Sequence, residues 1–99
     1  MFKSIAELIG SFFSRPHKPK GPDAGTVGES LTYRTEGTDT LGVHKFQWDW
    51  GDGTSDKWQD EKESHRYTQP GTYQIRVRER CPWWVFITRW SKTKTVTIQ

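Results

Sequence analysis

The strongest constraint on this chain is a period-two alternation of large apolar and polar residues in four separate stretches. Alternation of this kind puts the apolar side chains on one face of an extended strand and the polar ones on the other. Turn sequences rich in glycine, aspartate and proline separate the stretches. Short strands separated in this way predict an all-β sandwich. The predicted inward residues are Leu31, Tyr33, Thr35, Phe46, Trp48, Trp50, Tyr73, Ile75, Val77, Val96 and Ile98.

The composition bounds the size of the core. The chain has 99 residues, which suffices for one domain, and only 31% of them are hydrophobic. It nevertheless contains six Trp, five Phe and three Tyr. Each such ring buries about 150–250 Å². A few aromatic side chains must therefore supply most of the buried area, and Trp48 is predicted to be a core ring between two sheets.

Two motifs carry a family resemblance. The first, Trp48–Thr54, reads WDWGDGT and resembles the W-D-[FW]-G-D-G-[TS] signature of PKD (polycystic kidney disease) domains. The second, His65–Val77, reads HRYTQPGTYQIRV and is similar to the H-x-Y-x-x-P-G-x-Y-x-[IV]-x-V pattern of that family. The resemblance implies an immunoglobulin-like β-sandwich of about seven strands over residues 23–99. It also implies a spacer, protein-contact or weak ligand-binding module of mostly extracellular or surface-exposed proteins, and not an enzyme.

The chemistry of the motif residues supports a structural role for them. Gly-Asp-Gly-Thr allows the chain to reverse where φ is positive, and the Asp52 side chain can accept hydrogen bonds from nearby backbone amides. Within the second motif, His65 is interpreted as a structural hydrogen-bonding residue rather than a catalytic one.

The first 22 residues differ in pattern from the rest. Residues 1–15 predict a short amphipathic helix that ends before Pro16, and residues 16–22 predict a Pro/Gly linker. The helix could pack on its own sandwich, bind a neighbouring subunit or lie on a membrane. Its short polar face is a poor match to a basic lipid-binding helix, so we expect docking to a subunit or scaffold. The apolar face comprises Phe2, Ile5, Ile9, Phe12 and Phe13.

A second apolar segment covers residues 83–87. Strict alternation would put Trp83 on one face with Val85 and Ile87, and Trp84 and Phe86 on the other. One face can join the core, and the other would then expose a large apolar surface, which monomers rarely tolerate without a function. Because tryptophan is enriched in interface hot spots, we interpret Trp83, Trp84 and Phe86 as a partner-binding region rather than as wholly buried residues.

Other kinds of site are less well supported. The net charge is +3, without a dense basic face or a nucleic-acid-binding motif, so no nucleic-acid partner is expected. The three histidines are scattered, Cys81 is the single cysteine, and no nucleophile or zinc motif is present, so no catalytic site or small-molecule substrate is expected. Asp49, Asp52 and Asp56 are weak calcium candidates, because their spacing does not match an EF-hand loop. No cofactor is expected.

These observations predict a non-catalytic structural or assembly subunit that binds a protein partner or a second copy of itself. A virion or capsid-associated protein, a filament subunit or an accessory subunit would fit. The alternative is a cell-surface module that binds glycan or protein through Trp58 and Trp84, and a peripheral membrane anchor is less favoured. The compartment stays open, because the family is mostly extracellular while no secretory signal is recognisable in this sequence.

Overall fold

Seven β-strands form the protein in the computed structural model, which describes residues 15–37, 45–80 and 87–99. The helix predicted for residues 1–15 falls almost entirely outside these ranges. The strands are β1 (Ala24–Gly25), β2 (Leu31–Arg34), β3 (Lys45–Asp49), β4 (Ser55–Gln59), β5 (Lys62–His65), β6 (Gly71–Arg80) and β7 (Lys94–Ile98).

The strands form two sheets. The larger sheet has five strands in the order β1-β7-β6-β3-β4, and the smaller pairs β2 with β5. All pairs are antiparallel except β1 with β7. In the central pair, Trp48 of β3 lies opposite Val77 of β6. Both residues point inward. The polar residues that flank each of them on its own strand therefore point to the outer face of the sheet.

The core lies between the two sheets and confirms the predicted alternation. Thr35 and nine of the ten predicted apolar residues are buried, and Tyr73 is partly buried against them. Tyr67, which lies outside the alternating stretches, is fully buried as well. The all-β, immunoglobulin-like architecture predicted from the sequence is therefore correct.

A stack of aromatic rings crosses the core from one sheet to the other. The rings of Trp48 and Trp50 lie 5.2 Å apart at an interplanar angle of 9°. The His65 ring stacks on Trp50, with a centroid distance of 4.7 Å and an interplanar angle of 3°. The Tyr67 ring contacts His65 edge-on, at a centroid distance of 4.7 Å. Near-parallel and edge-to-face contacts of this kind add to the free energy gained from burial alone.

The polar atoms of three buried rings donate hydrogen bonds to backbone carbonyls. Trp48 Nε1 donates to the Asp60 oxygen at 3.0 Å, and the Tyr67 hydroxyl donates to the Trp50 oxygen at 2.7 Å. The Tyr33 hydroxyl donates to the Pro22 oxygen at 2.8 Å. Burial raises the pKa of Tyr33 to about 12, and the negative charges of nearby acidic residues contribute. These bonds avoid the cost of burying an unsatisfied donor.

The turn between β3 and β4 adopts the conformation predicted from its glycines. Gly51 has φ +82° and Gly53 has φ +90°. One oxygen of Asp52 accepts hydrogen bonds from the Thr54 amide at 3.0 Å and from the Thr54 hydroxyl at 2.5 Å. An aspartate that bonds the backbone two residues further on stabilises a tight reversal of this kind.

Residues 16–22, for which the sequence predicts a linker, are packed along β2. The His17 amide donates to the Glu36 oxygen at 2.8 Å. Lys20 and Arg34 exchange two backbone hydrogen bonds, of 2.8 and 3.0 Å. Pro16 and Pro19 are fully buried. Proline lacks an amide donor, so a segment rich in proline is predicted as a linker from its sequence. At the edge of a sheet that donor is not required, and proline can therefore pack there.

We expect Trp48→Ala to lower the free energy of unfolding by about 3–5 kcal/mol, because it removes a fully buried ring and its stacking partner contact. Chemical denaturation followed by circular dichroism measures this. Trp48→Phe keeps an aromatic ring and should lose clearly less. An unfolding free energy unchanged by the alanine would contradict the position of the ring in the core.

The two glycines of the turn should respond differently to alanine. Both have positive φ, which costs about 1–2 kcal/mol for a residue with a side chain. A Cβ on Gly51 would also lie 2.6 Å from the Gln74 oxygen and 2.9 Å from its nitrogen, whereas one on Gly53 meets open space. Urea denaturation should therefore show a larger loss for Gly51→Ala than for Gly53→Ala. Equal losses would mean that the approach of the turn to β6 is looser than described.

Candidate functional site

The outer face of β3 and β6 carries a row of paired polar residues. Arg76, Arg78 and Arg80 alternate with the buried residues of β6 and so point away from the core. The register sets Asp49 opposite Arg76 and Gln47 opposite Arg78. The Arg76 Nε donates to an Asp49 oxygen at 2.9 Å, and the Arg78 Nε donates to the Gln47 side-chain oxygen at 2.8 Å.

Trp90 packs against two of these arginines. The ring centroid lies 4.2 Å from the Arg76 guanidinium carbon and 4.5 Å from that of Arg78. The ring is held there by its neighbour, because Ser91 exchanges backbone and side-chain hydrogen bonds with Val77 of β6, at 2.8 and 3.0 Å. A guanidinium over an indole face is attracted by the negative charge of the ring face.

Trp58 holds the third arginine. It lies at the irregular part of the β3–β4 pairing and has φ +56°. The Arg80 guanidinium carbon lies 4.5 Å from the centroid of its half-buried ring. Trp58, predicted as a possible ligand platform, thus has a guanidinium over its ring. We call this surface the arginine–tryptophan face; it comprises Gln47, Asp49, Trp58, Arg76, Arg78, Arg80 and Trp90.

The arginine–tryptophan face is mostly positively charged, and only some of its N–H donors are used in hydrogen bonds within the described part of the protein. It holds three guanidinium groups and one carboxylate. The Nε atoms of Arg76 and Arg78 are used within the face. Their Nη groups, and the guanidinium of Arg80, have no hydrogen-bond acceptor within residues 15–37, 45–80 and 87–99. The face can therefore donate several hydrogen bonds to a partner from groups whose position is already fixed.

The pairing of His65 with Asp52 serves the fold, as predicted for His65. Its Nε2 lies 2.8 Å from an Asp52 oxygen, while its ring is stacked on Trp50. Burial raises the pKa of Asp52, but hydrogen bonds from Thr54 and His65 outweigh burial and lower the pKa below its ordinary value. The pair ties the β3–β4 turn to the end of β5.

The described calcium candidates use their oxygens within the protein. Asp49 accepts from the Gly51 amide at 3.0 Å and from Arg76, and Asp52 accepts from Thr54 and His65. The side chain of Asp56 lies outside what the structure describes. Among the described residues, no three His, Cys, Asp or Glu side chains are grouped so that they could hold a metal ion.

All eight predicted partner-binding residues lie outside the described ranges. These are Phe2, Ile5, Ile9, Phe12, Phe13, Trp83, Trp84 and Phe86. The nearest described residue to the second group, Ile87, is 39% exposed and pairs with Arg80. In the described part of the chain, no helix is long and apolar enough to cross a membrane.

The arginine–tryptophan face was not predicted as a site. The spacing of Arg76, Arg78 and Arg80 shows in the sequence that they share a strand face. The contacts of Trp90 and Trp58 with them depend on hydrogen bonds between distant segments, for which the sequence gives no signal.

The two packed sheets and their shared core define an immunoglobulin-like β-sandwich. The family model described as PKD domain matches residues 14–80, and the chain belongs to this family. PKD domains are in general non-catalytic modules for protein interaction. No curated protein matches the chain.

Solved structures with the same fold include two PKD domains. One comes from an M14-like peptidase of a Thermoplasmatales archaeon, with 26% identity and a TM-score of 0.70 over 87% of this chain and 97% of that one. Another comes from the human VPS10 domain-containing receptor SorCS2, with 21% identity and a TM-score of 0.58 over 85% and 76%. The CARDB domain of a Pyrococcus furiosus protein, solved in complex with di-metal ions, shares the fold at 21% identity and a TM-score of 0.55 over 88% and 91%.

The lowered pKa of Asp52 predicts a dependence of stability on pH. A carboxyl group with a lower pKa in the folded state stabilises the fold above its unfolded pKa, and this contribution is lost as the pH falls through the folded value. We therefore expect the urea midpoint of the wild type to exceed that of Asp52→Asn at neutral pH, with the difference shrinking below about pH 4. Glu61→Gln, an exposed carboxylate with the same charge change, is the control. A difference that stays constant down to low pH would contradict this role.

Proposed function

We propose that this protein is a non-catalytic docking subunit of a larger assembly, and that the arginine–tryptophan face is part of its docking surface. The observation that carries the proposal is the way three guanidinium groups are held. Each lies on a tryptophan ring, at 4.2, 4.5 and 4.5 Å from its centroid, while its Nη groups make no hydrogen bond to any other described residue.

Fixed arginines of this kind suit a protein interface. Tryptophan and arginine are enriched among the residues that contribute most to binding. A free arginine side chain loses conformational entropy when a partner immobilises it, at about 0.5–1.5 kcal/mol per side chain. Stacking on Trp90 and Trp58 has already imposed most of that cost in the unbound domain.

The position of the face links it to the aromatic segment predicted from the sequence. Arg80 and Ile87 are paired, and these two residues flank the segment that contains Trp83, Trp84 and Phe86. We therefore propose that the aromatic segment and the arginine–tryptophan face bind the same partner, with apolar contacts from the first and charged hydrogen bonds from the second.

The N-terminal segment would provide a second attachment. Residues 16–20 run along β2 of the smaller sheet, whereas β6 lies in the larger one. A helix over residues 1–15 would thus approach the domain from the small-sheet side. Two separate contact surfaces are what a subunit with two neighbours requires, as in a capsid-associated protein, a filament or an accessory subunit.

The alternative of a glycan-binding module receives less support from the described residues. Sugar recognition by aromatic stacking needs an open ring face, and the Trp58 ring has the Arg80 guanidinium over it. The other predicted platform, Trp84, lies outside the described ranges. The docking proposal therefore accounts for more of the observed geometry.

Size-exclusion chromatography with light scattering on the full chain tests the proposal. We expect the chain to associate, and Arg80→Glu to weaken association about tenfold, because it removes one cation and places a carboxylate at the same position. Ile9→Glu tests the N-terminal segment separately. Lys92→Glu makes the same change of charge at an exposed position outside the face and should leave association unchanged.

A full chain that stays monomeric throughout would contradict self-assembly and favour the alternative binding module. Association that Arg80→Glu and Lys92→Glu weaken equally would mean that general charge, rather than this face, drives it.

A further inference from the structure

Three cationic residues lie at one level across three neighbouring segments of the smaller sheet. Lys20 pairs with Arg34 of β2, and Arg34 lies opposite Lys62 of β5. All three are exposed on the outer side of the sheet. Directly opposed positions have Cβ atoms about 4.5–5.5 Å apart, and like charges at such positions destabilise a sheet.

No described acidic residue neutralises this row. Lys20, Arg34 and Lys62 form no ion pair with a carboxylate in the described ranges. Glu36 and Glu61 line a groove of about 270 Å³ on one side of the row, together with Lys18, but neither reaches a cation closely enough to form an ion pair.

The groove on the other side of the row contains no acidic residue. It has a volume of about 320 Å³ and is lined by Lys20, Gly21, Thr32, Tyr33, Arg34 and Lys62. The three cations of the row are common to both grooves. The second groove therefore combines three positive charges with neutral walls.

A pair of hydroxyl groups adds a donor beside the row. The hydroxyls of Thr32 and Ser64 lie 2.7 Å apart, one residue pair of the outer face away from Arg34 and Lys62. Only one of the two hydroxyl hydrogens is used in the bond between them. When Ser64 donates to Thr32, the Thr32 hydroxyl hydrogen is available to a ligand oxygen in the groove that Thr32 lines.

Protection of a sheet edge does not account for the row. Charged residues, lysine above all, are common on edge strands because they oppose pairing with other chains. Lys20 and Lys62 lie at the two edges of this sheet, but Arg34 lies between them, where it has a cation on either side. That arrangement lowers stability without adding further protection.

We infer that Lys20, Arg34 and Lys62 form a binding site for a phosphate or sulfate group. A tetrahedral oxyanion has enough oxygens to contact all three cations at once, with the Arg34 fork donating two hydrogen bonds and the lysines acting as point charges. Binding also relieves the repulsion within the row. The site lies on the smaller sheet, and it is independent of the proposed docking face on the larger one.

Titration of the full chain with sodium sulfate and sodium phosphate tests the site, with chloride used to hold the ionic strength constant. We expect saturable shifts of the backbone amide resonances at Thr32–Arg34 and Lys62–Ser64. Arg34→Gln and Lys62→Gln should each weaken binding about tenfold. Lys92→Gln removes one positive charge at an exposed position elsewhere and should bind like the wild type.

A second measurement does not depend on the titration. Without added anion, Arg34→Gln should unfold at a higher urea concentration than the wild type, because it removes two like-charge contacts. Sulfate should then stabilise the wild type more than this variant. Shifts that do not saturate, or that are the same in Arg34→Gln, would show an adventitious ion only and overturn the inference.

The source of the group is distinguished by three further probes. These are a sulfated disaccharide, a soluble phosphate monoester, and phosphatidylcholine vesicles with and without a phosphoinositide. The site is supported if one of these probes binds more tightly than the free inorganic anion and if Lys62→Gln abolishes that binding. The probe that does so identifies the source as glycan, metabolite or lipid, respectively. Binding of a probe that Lys62→Gln leaves intact counts against the site.

Discussion

The stack formed by Trp48, Trp50 and His65 is the interaction on which the rest of this domain depends. Trp48 belongs to β3 of the larger sheet and His65 ends β5 of the smaller one, so the stack joins the sheets through their shared core. The ring nitrogen of His65 also holds Asp52, which fixes the turn after β3. Burial of the rings, sheet contact and turn geometry are therefore coupled in one set of contacts.

The core arrangement decides what the outer surfaces present. Because Trp48 and Val77 face inward opposite each other, the adjacent residue pair of this antiparallel ladder, Asp49 and Arg76, must meet on the outer face. A shift of one residue would reverse every one of these positions. The geometry of the arginine–tryptophan face is thus a consequence of the packing beneath it, completed by Trp90 from the segment that precedes β7.

The two charged surfaces of the domain differ in how far their charge is compensated. On the larger sheet the guanidinium groups have aromatic partners, and Arg76 also has a carboxylate. On the smaller sheet Lys20, Arg34 and Lys62 have no such partner among the described residues. The first pattern suits an interface with fixed side chains. The second is destabilising without a ligand, which is why the two surfaces lead to different proposals and separate experiments.

The sequence by itself determined the fold, the core and the turn. The alternation of apolar and polar residues placed Trp48 and Ile75 in the core. The Gly-Asp-Gly-Thr segment specified the turn that it forms. Both features depend on residues that are close together in the chain. Only the tertiary structure decided that residues 16–20 pair with β2, that Trp90 lies on two arginines and that Lys20, Arg34 and Lys62 share one level. Each of these depends on the register between segments far apart in sequence, which local pattern does not encode.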